Sequence, residues 1–340
     1  MRRPVARKLT VLAVSAAVVS VGAAAPPAVG GTTAAKTPVA VGYGGAVASV
    51  DADATAAGLA GRRNGGTAVG AGGAPAGPPR VTEPYSSGVG GGGYFVYYNA
   101  KSRTVHTIDG RETAPLTAGS NLFVENGKPL AFADAVSSGL SVGTPGTPAT
   151  WQTALSQWGT ERLGTVLKPA ERIAGKGFVV DDTFRSQTAA NETRFRYFPD
   201  TAKLFLPGGQ LPVVGSTFKN PELARTYKEL GKKGIGFIYR GALGKDIVST
   251  VNNPPVDPSS GWKARAGKLS TKDLAAYRAK LQAPTETGYR GLKVYSIAPS
   301  SSGGTTVGEA LNILENTDLS KASEGRFLAD SIGASRLAVA

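Results

Sequence analysis

The segment Asp109-Gly110-Arg111-Glu112 contains residue types suited to recognising a charged small molecule. Arg111 has a planar guanidinium that can hold a carboxylate through two parallel hydrogen bonds. Glu112 beside it can orient that guanidinium or accept a hydrogen bond from an ammonium group. An Arg–Glu pair therefore suits an α-amino acid group, which carries one charge of each sign. The same two residues could instead form a surface ion pair, which would contribute little to stability.

The residue types that are missing exclude several kinds of site. The 340 residues include no cysteine and one histidine, so this chain cannot form disulfides, Cys-ligated metal centres or sites with two histidines. A Ser–His–Asp triad would need His106. That histidine is expected in the middle of a strand as an ordinary strand residue. We therefore expect no metal and no cofactor.

Two glycine-containing segments resemble catalytic motifs but lie in the wrong context. Gly88, Gly90 and Gly93 satisfy G-x-G-x-x-G, yet they are followed by a strand pattern, whereas a dinucleotide fingerprint opens a helix. Residues 139–143 satisfy G-x-S-x-G, but Pro145 follows closely and no histidine lies downstream. Neither segment is expected to bind a dinucleotide or to act as a nucleophile elbow.

The N-terminus has the pattern of an export signal. Four basic residues precede an apolar run of about a dozen residues, and small residues at 23–25 resemble a cleavage site. We predict a signal peptide at residues 1–25, a flexible leader at 26–41 and one domain at 42–340. The alternative is a membrane anchor that is retained. With cleavage, the protein would be secreted or periplasmic and would have no membrane association.

Charge gives no sign of nucleic-acid binding. The chain has 38 Lys and Arg against 24 Asp and Glu, and therefore a formal net charge of +14. Four of the positive charges belong to the predicted signal peptide, and the others are interspersed with acidic residues. No block of five or six like charges is present. We expect a well-solvated basic surface and no nucleic-acid partner.

The domain combines strand and helix signals. Aromatic and β-branched residues at 94–98 and 104–108 predict a β-hairpin, with Asp109-Gly110 as a turn after its second strand. Residues 51–60 predict a helix, and the glycines and prolines of 61–80 interrupt any helix that continues beyond it. Three further helix starts carry capping signals, which are Thr147-Pro148, Asn220-Pro221 and Ser270 with Asp273. The last of these has a helical stripe of Leu274, Tyr277 and Leu281.

Residues 81–96, V-T-E-P-Y-S-S-G-V-G-G-G-G-Y-F-V, followed by D-G-R-E-T-A-P at 109–115, strongly resemble the γ-glutamyltransferase (γ-glutamyltranspeptidase) family. Other segments fit the same family in order: S-V-G-T-P-G at 141–146, L-K-P-A at 167–170 as a helix start, N-P-E-L-A at 220–224, D-L-A-A-Y-R at 273–278 and A-P-S-S-S-G-G at 298–304. The resemblance spans roughly residues 42 to 338.

The resemblance implies an α+β fold of the N-terminal-nucleophile hydrolase type, an αββα sandwich that is incomplete here because the matches lie in the large-subunit part. It also implies a precursor that cleaves itself into a large and a small subunit. The N-terminal Thr of the small subunit then attacks γ-glutamyl amides such as glutathione, with its own amine as the base, and the γ-glutamyl group passes to water or an amino acid. Arg111 is implied to bind the substrate α-carboxylate, with Glu112 ordering it or contacting the amino group.

The sequence also departs from the family pattern. No Thr of the chain, including Thr305 and Thr306, stands in the nucleophile context, so we expect the nucleophile beyond Ala340 and no catalytic residue within the chain. The family's G-G-N-A-V-D-A-A helix reads G-G-T-A-V-G-A-G at 65–72. Two hypotheses follow. The chain is either a large-subunit part that needs a small subunit as its partner, or an inactive remnant or γ-glutamyl-binding pseudoenzyme.

Overall fold

The computed structural model describes residues 39–50, 52–70 and 79–339 as a mixed α and β fold. The strands are β1 Gly93–Asn99, β2 Thr104–Gly110, β3 Val124–Glu125, β4 Lys128–Pro129, β5 Phe178–Val179, β6 Thr217–Phe218, β7 Lys280–Gln282, β8 Thr285–Tyr289 and β9 Leu292–Ser296. The helices are α1 Ala52–Arg63, α2 Pro79–Thr82, α3 Phe132–Val136, α4 Thr147–Trp158, α5 Leu163–Lys176, α6 Asp182–Phe195, α7 Pro199–Phe205, α8 Pro221–Lys233, α9 Gly236–Tyr239, α10 Ala242–Asn252, α11 Thr271–Ala276, α12 Gly303–Glu315 and α13 Glu324–Ala338.

The predicted signal peptide, residues 1–25, lies outside the described residues, as does nearly all of the predicted leader at 26–41. Helix α1 confirms the prediction for residues 51–60, and it ends at Arg63, just inside the glycine- and proline-rich segment 61–80. Residues 68–70 are helical again, and Val69 is buried in the core, whereas 71–78 fall outside the description. Across the described ranges, no helix is long and apolar enough to cross a bilayer.

The predicted hairpin is present and forms the largest sheet. Strands β1 and β2 pair antiparallel from Gly93 opposite Gly110 to Asn99 opposite Thr104. Strand β7 pairs antiparallel with the other edge of β2, so β2 is the central strand. The prediction that Asp109-Gly110 forms a turn is wrong, because both residues pair with β1 inside the strand. Arg111 is consequently the first residue after the central strand.

His106 lies in β2, as predicted. Its Nε2 is 3.0 Å from the Thr104 hydroxyl oxygen. Its ring clusters with those of Tyr97 and Trp158, at centroid distances of 6.4 and 5.5 Å. The imidazole therefore packs against β1 and α4.

Helix α4 begins one residue earlier than predicted. Thr147 was expected to cap this helix, but it is the first helical residue, and Gly146 precedes it as the cap. The Thr147 hydroxyl is buried without a hydrogen-bond partner in the described part of the chain. The backbone amides of Gly146 and Thr147 instead donate to the carbonyl of Gly91, at 2.9 and 3.0 Å. The carbonyl of Gly91 therefore accepts hydrogen bonds from the amides at the start of α4, which the Thr147 side chain does not cap.

The core is centred on the packing of α5 against α8. Helix α5 begins at Leu163, so the prediction of a helix start at 167–170 is wrong and Pro169 lies inside the helix. The helix continues through this proline because an apolar stripe of six residues is buried along it: Leu163, Val166, Leu167, Ala170, Ile173 and Ala174. The two helices approach closely at Gly164, where a Cβ would lie 2.7 Å from the carbonyl oxygen of Gly231.

The other two capping predictions are confirmed. The Asn220 side chain accepts a hydrogen bond from the amide of Leu223 at the start of α8. Ser270 and Asp273 form a reciprocal capping box on α11. Helix α11 is nevertheless only six residues long, and Leu281, predicted on its apolar stripe, lies in β7. The chain leaves the helix at Tyr277 because it must return to pair with β2.

Candidate functional site

The Arg111 side chain emerges at the end of the central strand and is exposed. Its Nη1 donates to the backbone carbonyl of Ser300 at 3.0 Å and to the Tyr94 hydroxyl at 3.4 Å. Tyr94 belongs to β1, and Ser300 lies in the segment between β9 and α12. Residues from two separate parts of the chain therefore fix the direction of the guanidinium.

These contacts close into a ring of hydrogen bonds. The Ser300 hydroxyl oxygen lies 3.0 Å from that of Tyr94 and donates to Asp109 Oδ2 at 3.1 Å. The other carboxylate oxygen of Asp109 accepts from the backbone amide of Arg111 at 2.9 Å. Asp109 is the cross-strand partner of Tyr94. The ring restrains both the backbone and the head group of Arg111, and this limits the conformational entropy lost when a ligand binds.

The ring uses only part of the hydrogen-bonding capacity of Arg111. Among the described residues, Nη1 is the one guanidinium nitrogen with a protein partner. Nε and Nη2 share the edge of the guanidinium that can hold a carboxylate through two parallel hydrogen bonds. The site therefore presents a restrained cation with an open bidentate edge.

The backbone around Arg111 is held from the side of α11. The Tyr277 hydroxyl donates to the carbonyl of Arg111 at 2.8 Å. Two residues further on, the carbonyl of Thr113 accepts from the amide of Thr144 at 2.9 Å. The Tyr277 ring is buried and stacks on Tyr239, with ring centroids 5.8 Å apart. The segment carrying the site is thus anchored to the core on both sides of Glu112.

Glu112 extends over the glycine loop that precedes β1. A Cβ at Gly92 would lie 2.7 Å from Glu112 Oε2 and 2.6 Å from the carbonyl of Gly110. Only glycine leaves room for the carboxylate at this position. Within the described ranges, no protein group donates a hydrogen bond to the Glu112 carboxylate. The side chain is exposed, so its oxygens are available to an ammonium group.

Hydrogen bonding and burial set the charge states around the site. The hydrogen bond to Tyr94 is the largest cause that raises the pKa of Arg111, with smaller contributions from Glu112 and Asp109. Burial, reinforced by the charges of Asp109 and Glu112, raises the pKa of Tyr277. Arg111 is therefore a permanent cation, and Tyr277 keeps the proton that it donates to the Arg111 carbonyl.

Asp273 links the capping box to the segment that follows the site. Its Oδ1 accepts from the amide of Leu116 at 2.6 Å, and its Oδ2 accepts from the amide of Ser270 at 2.7 Å. Burial opposes ionisation of this carboxyl, but hydrogen bonds from the Ser270 side chain and from backbone amides outweigh burial and lower its pKa. The charged carboxylate of Asp273 is therefore part of the support of the site.

Arg111 and Glu112, the two site residues predicted from sequence, follow β2 directly, and their side chains contact different groups. Sequence reasoning missed Tyr94, Ser300 and Tyr277. The alternation of β1 and β2 could have paired Tyr94 with Asp109, but nothing in the spacing connects Arg111 with Ser300, 189 residues away. The described residues contain no group of three or more His, Asp or Glu side chains that could hold a metal ion.

The chain is similar to known proteins over most of its length. Residues 54–340 match the family model described as gamma-glutamyltranspeptidase. The glutathione hydrolase proenzyme of Bacillus subtilis (strain 168) is 33% identical over 283 residues, which are 83% of this chain and 46% of that protein. The proenzyme of the same name from Escherichia coli (strain K12) is 33% identical over 284 residues, covering 82% and 46%. The chain thus spans about half the length of the curated relatives it matches.

Solved structures show the same fold. The crystal structure of Helicobacter pylori gamma-glutamyltranspeptidase superposes with a TM-score of 0.81 at 28% identity, covering 89% of this chain and 84% of that chain. Gamma-glutamyltranspeptidase from Pseudomonas nitroreducens, complexed with L-DON, gives 0.71 at 26% identity, covering 83% and 81%. The fold is therefore the α+β fold of N-terminal-nucleophile hydrolases, represented here by its large-subunit region. The chain belongs to the gamma-glutamyltranspeptidase family.

Proposed function

We propose that this chain is the large-subunit part of a γ-glutamyltransferase that acts as a glutathione hydrolase. In this proposal the enzyme cleaves γ-glutamyl amides such as glutathione and transfers the γ-glutamyl group to water or to an amino acid. The observation that carries the proposal is the guanidinium of Arg111, which is restrained by Tyr94 and Ser300 and keeps an open bidentate edge. The names of the curated relatives, glutathione hydrolase proenzymes, supply the substrate class.

Arg111 binds the α-carboxylate of the γ-glutamyl group. Two parallel N–H donors in one plane match the two oxygens of a carboxylate. The cation is in place before the substrate arrives, because the hydrogen-bond ring fixes its direction through Asp109.

Glu112 contributes the opposite charge. Its carboxylate lies beside Gly92 and is available to the α-ammonium group of the substrate. Arg111 and Glu112 thus recognise the two charged groups that distinguish the γ-glutamyl end of a substrate from an ordinary acyl chain. Both residues bind and orient the substrate.

The bond-breaking step needs a nucleophile that this proposal places in a small subunit. There the hydroxyl of an N-terminal Thr attacks the γ-carbonyl, and its α-amine takes the hydroxyl proton. The amide C–N bond then breaks, and the departing amine leaves with that proton. The γ-glutamyl ester that forms is then cleaved by water or by the amine of an acceptor amino acid. The chain alone is expected to bind γ-glutamyl compounds without turning them over. We also propose export through the signal-like residues 1–25, to a secreted or periplasmic location.

The proposal is tested by two measurements on the purified chain. Release of p-nitroaniline from γ-glutamyl-p-nitroanilide reports turnover, and titration calorimetry with glutathione reports binding. We expect binding and no release. Release by the chain alone would contradict the need for a small subunit, and an absence of glutathione binding would contradict γ-glutamyl recognition.

The non-enzymatic alternative is separated by adding a small subunit. The chain is mixed with the separately produced small subunit of the Bacillus subtilis relative, and p-nitroaniline release is measured again. Release that appears only in the mixture supports the enzyme. Binding of glutathione by a chain that forms a stable complex with the small subunit, but releases no p-nitroaniline, would favour a γ-glutamyl-binding pseudoenzyme.

A further inference from the structure

Away from the Arg111 site, helices α5 and α8 border an open groove of about 680 Å³. Its lining consists of Lys168, Glu171, Arg172, Gly175, Lys176, Ala224, Arg225 and Lys228. Small residues form the floor, since a Cβ at Gly175 would be in ordinary contact with Ala224, 3.6 Å away. Long charged side chains form the two walls.

The groove has a large excess of positive charge. Five of its side chains are cationic and exposed, and one, that of Glu171, is anionic. Of the five cations, Arg225 alone has a carboxylate partner within the described part of the chain, Glu222 at 3.0 Å. By contrast, Lys232 and Lys233 at the end of α8 lie within 3.9 and 2.7 Å of Glu229. Four of the five groove cations thus have no ion-pair partner among the described residues, and the groove keeps a net positive charge.

The cations are arranged in rows. Lys168, Arg172 and Lys176 follow one another at intervals of four residues, so adjacent members are separated by about 6 Å along the helix axis. Arg225 and Lys228 face them from α8. Like charges four residues apart destabilise a helix slightly, and a bound anion would relieve that repulsion. A row of this length suits a ligand with charges repeated along a chain better than it suits one compact anion.

The lining also indicates how such a ligand is recognised. None of the lining residues is aromatic, so the groove offers no surface on which bases or sugar rings could stack. Apart from Glu171, its charged groups are cations that can contact phosphate oxygens, with lysines acting as point charges. We propose that the groove between α5 and α8 binds a linear phosphate polymer. This site is separate from the proposed γ-glutamyl site and does not depend on it.

The test is a titration of the full chain with linear polyphosphate at several salt concentrations. If all five cations neutralise phosphates, log K should fall with log salt with a slope of about 3 to 4 in magnitude, using the value known for single-stranded polyanions. Orthophosphate at the same total phosphate concentration should bind far more weakly. A weak response to salt, or equal affinity for orthophosphate, would contradict the proposal.

Matched double variants locate the binding. Arg172→Ala with Lys228→Ala removes one cation from each wall and should lower the magnitude of the salt slope by about 1.4. Lys101→Ala with Lys321→Ala removes the same charge from exposed positions outside the groove and should leave the slope unchanged. Circular dichroism verifies that both variants are folded. Equal effects of the two variants would show that net charge rather than the groove binds the polymer.

Single-stranded DNA with the same number of charges distinguishes the source of the phosphates. The groove contacts only backbone charge, so DNA should bind no more tightly than polyphosphate. Tighter binding of DNA would require base contacts that the groove lacks and would overturn the assignment to a phosphate polymer.

Discussion

The hydroxyl of Tyr277 donates a hydrogen bond to the backbone carbonyl of Arg111 at 2.8 Å, across 166 residues of sequence. The contact joins the end of helix α11 to the segment after β2 that carries the candidate ligand-binding pair, Arg111 and Glu112. The buried Tyr277 ring stacks on Tyr239, whose hydroxyl donates to the carbonyl of Pro145 at 2.7 Å. Two parallel tyrosines thus hold two different backbone segments, and only one of these segments contains Arg111.

Tyr277→Phe is expected to weaken glutathione binding several-fold. The substitution keeps the stacked ring and removes the hydrogen bond that positions Arg111. Tyr239→Phe is the matched control, because it also removes a buried hydroxyl but leaves Arg111 in place. Tyr277→Phe should lose about 0.5–1.5 kcal/mol of unfolding free energy, and Tyr239→Phe should lose more, because the Tyr239 hydroxyl also accepts from the amide of Ala149 at 3.2 Å. Calorimetry and denaturant unfolding measure the two effects. Equal weakening of binding by both variants would indicate a general structural effect.

Gly92→Ala is expected to destabilise the protein and displace Glu112. The new methyl group would meet Glu112 Oε2 at 2.7 Å and the Gly110 carbonyl at 2.6 Å. Such overpacking costs about 1–3 kcal/mol. Gly90→Ala is the control, because a Cβ there has no heavy atom within 4 Å. Denaturant unfolding should separate the variants, and equal stabilities would show that the Glu112 carboxylate is not confined at Gly92.

Asp273 gives the stability a defined dependence on pH. Its pKa is lower in the folded protein than in the unfolded chain, so the folded state binds fewer protons. The stabilisation is complete above the unfolded value of about 3.9 and is lost as the pH falls through the folded value. Asp273→Asn should lower stability at neutral pH and reduce the loss on acidification. Asp246→Asn, at an exposed position, should change neither the stability at neutral pH nor the loss on acidification. Thermal unfolding of both variants between neutral and acidic pH measures the difference.

The close approach of α5 and α8 predicts opposite effects of two alanine substitutions on one helix. Gly164→Ala places a Cβ 2.7 Å from the Gly231 carbonyl and should destabilise the fold by about 1–3 kcal/mol. Gly175→Ala makes only ordinary contact with Ala224, so the gain in helix propensity should stabilise the protein by up to about 1 kcal/mol. Urea unfolding measures both, and a stabilising Gly164→Ala would contradict the close packing.

Sequence patterns correctly predicted the secondary-structure elements that are determined by residues close together in the sequence. The hairpin followed from strand-forming residues on both sides of a short turn, and the caps at Asn220 and Ser270 followed from side chains that reach an amide three residues away. The start of α5 was missed because burial of its apolar stripe outweighs the unfavourable Pro169. Leu281 was placed on a helix because its spacing fits one, whereas pairing with β2 places it in a strand.

The candidate site was predictable only in part. The adjacent, opposite charges of Arg111 and Glu112 left a surface ion pair as an equally simple interpretation, and only the family resemblance favoured the two residues as substrate-binding candidates. The groups that orient Arg111 come from Ser300 and Tyr277, which the fold brings to the end of β2 from distant parts of the sequence. Such contacts depend on tertiary packing, and a single sequence contains no local signal for them.

The central claim is that the open edge of Arg111 binds the α-carboxylate of a γ-glutamyl group. The direct measurement is a calorimetric cycle that combines wild type and Arg111→Ala with glutathione and with γ-aminobutyryl-Cys-Gly, which keeps the amine and lacks that carboxylate. Exposed Arg63→Ala serves as the matched control. Arg111→Ala should weaken glutathione binding by about tenfold or more, because it removes charge-assisted hydrogen bonds. It should leave the already weak binding of the analogue unchanged. Equal effects on both ligands, or unchanged glutathione binding, would contradict the claim.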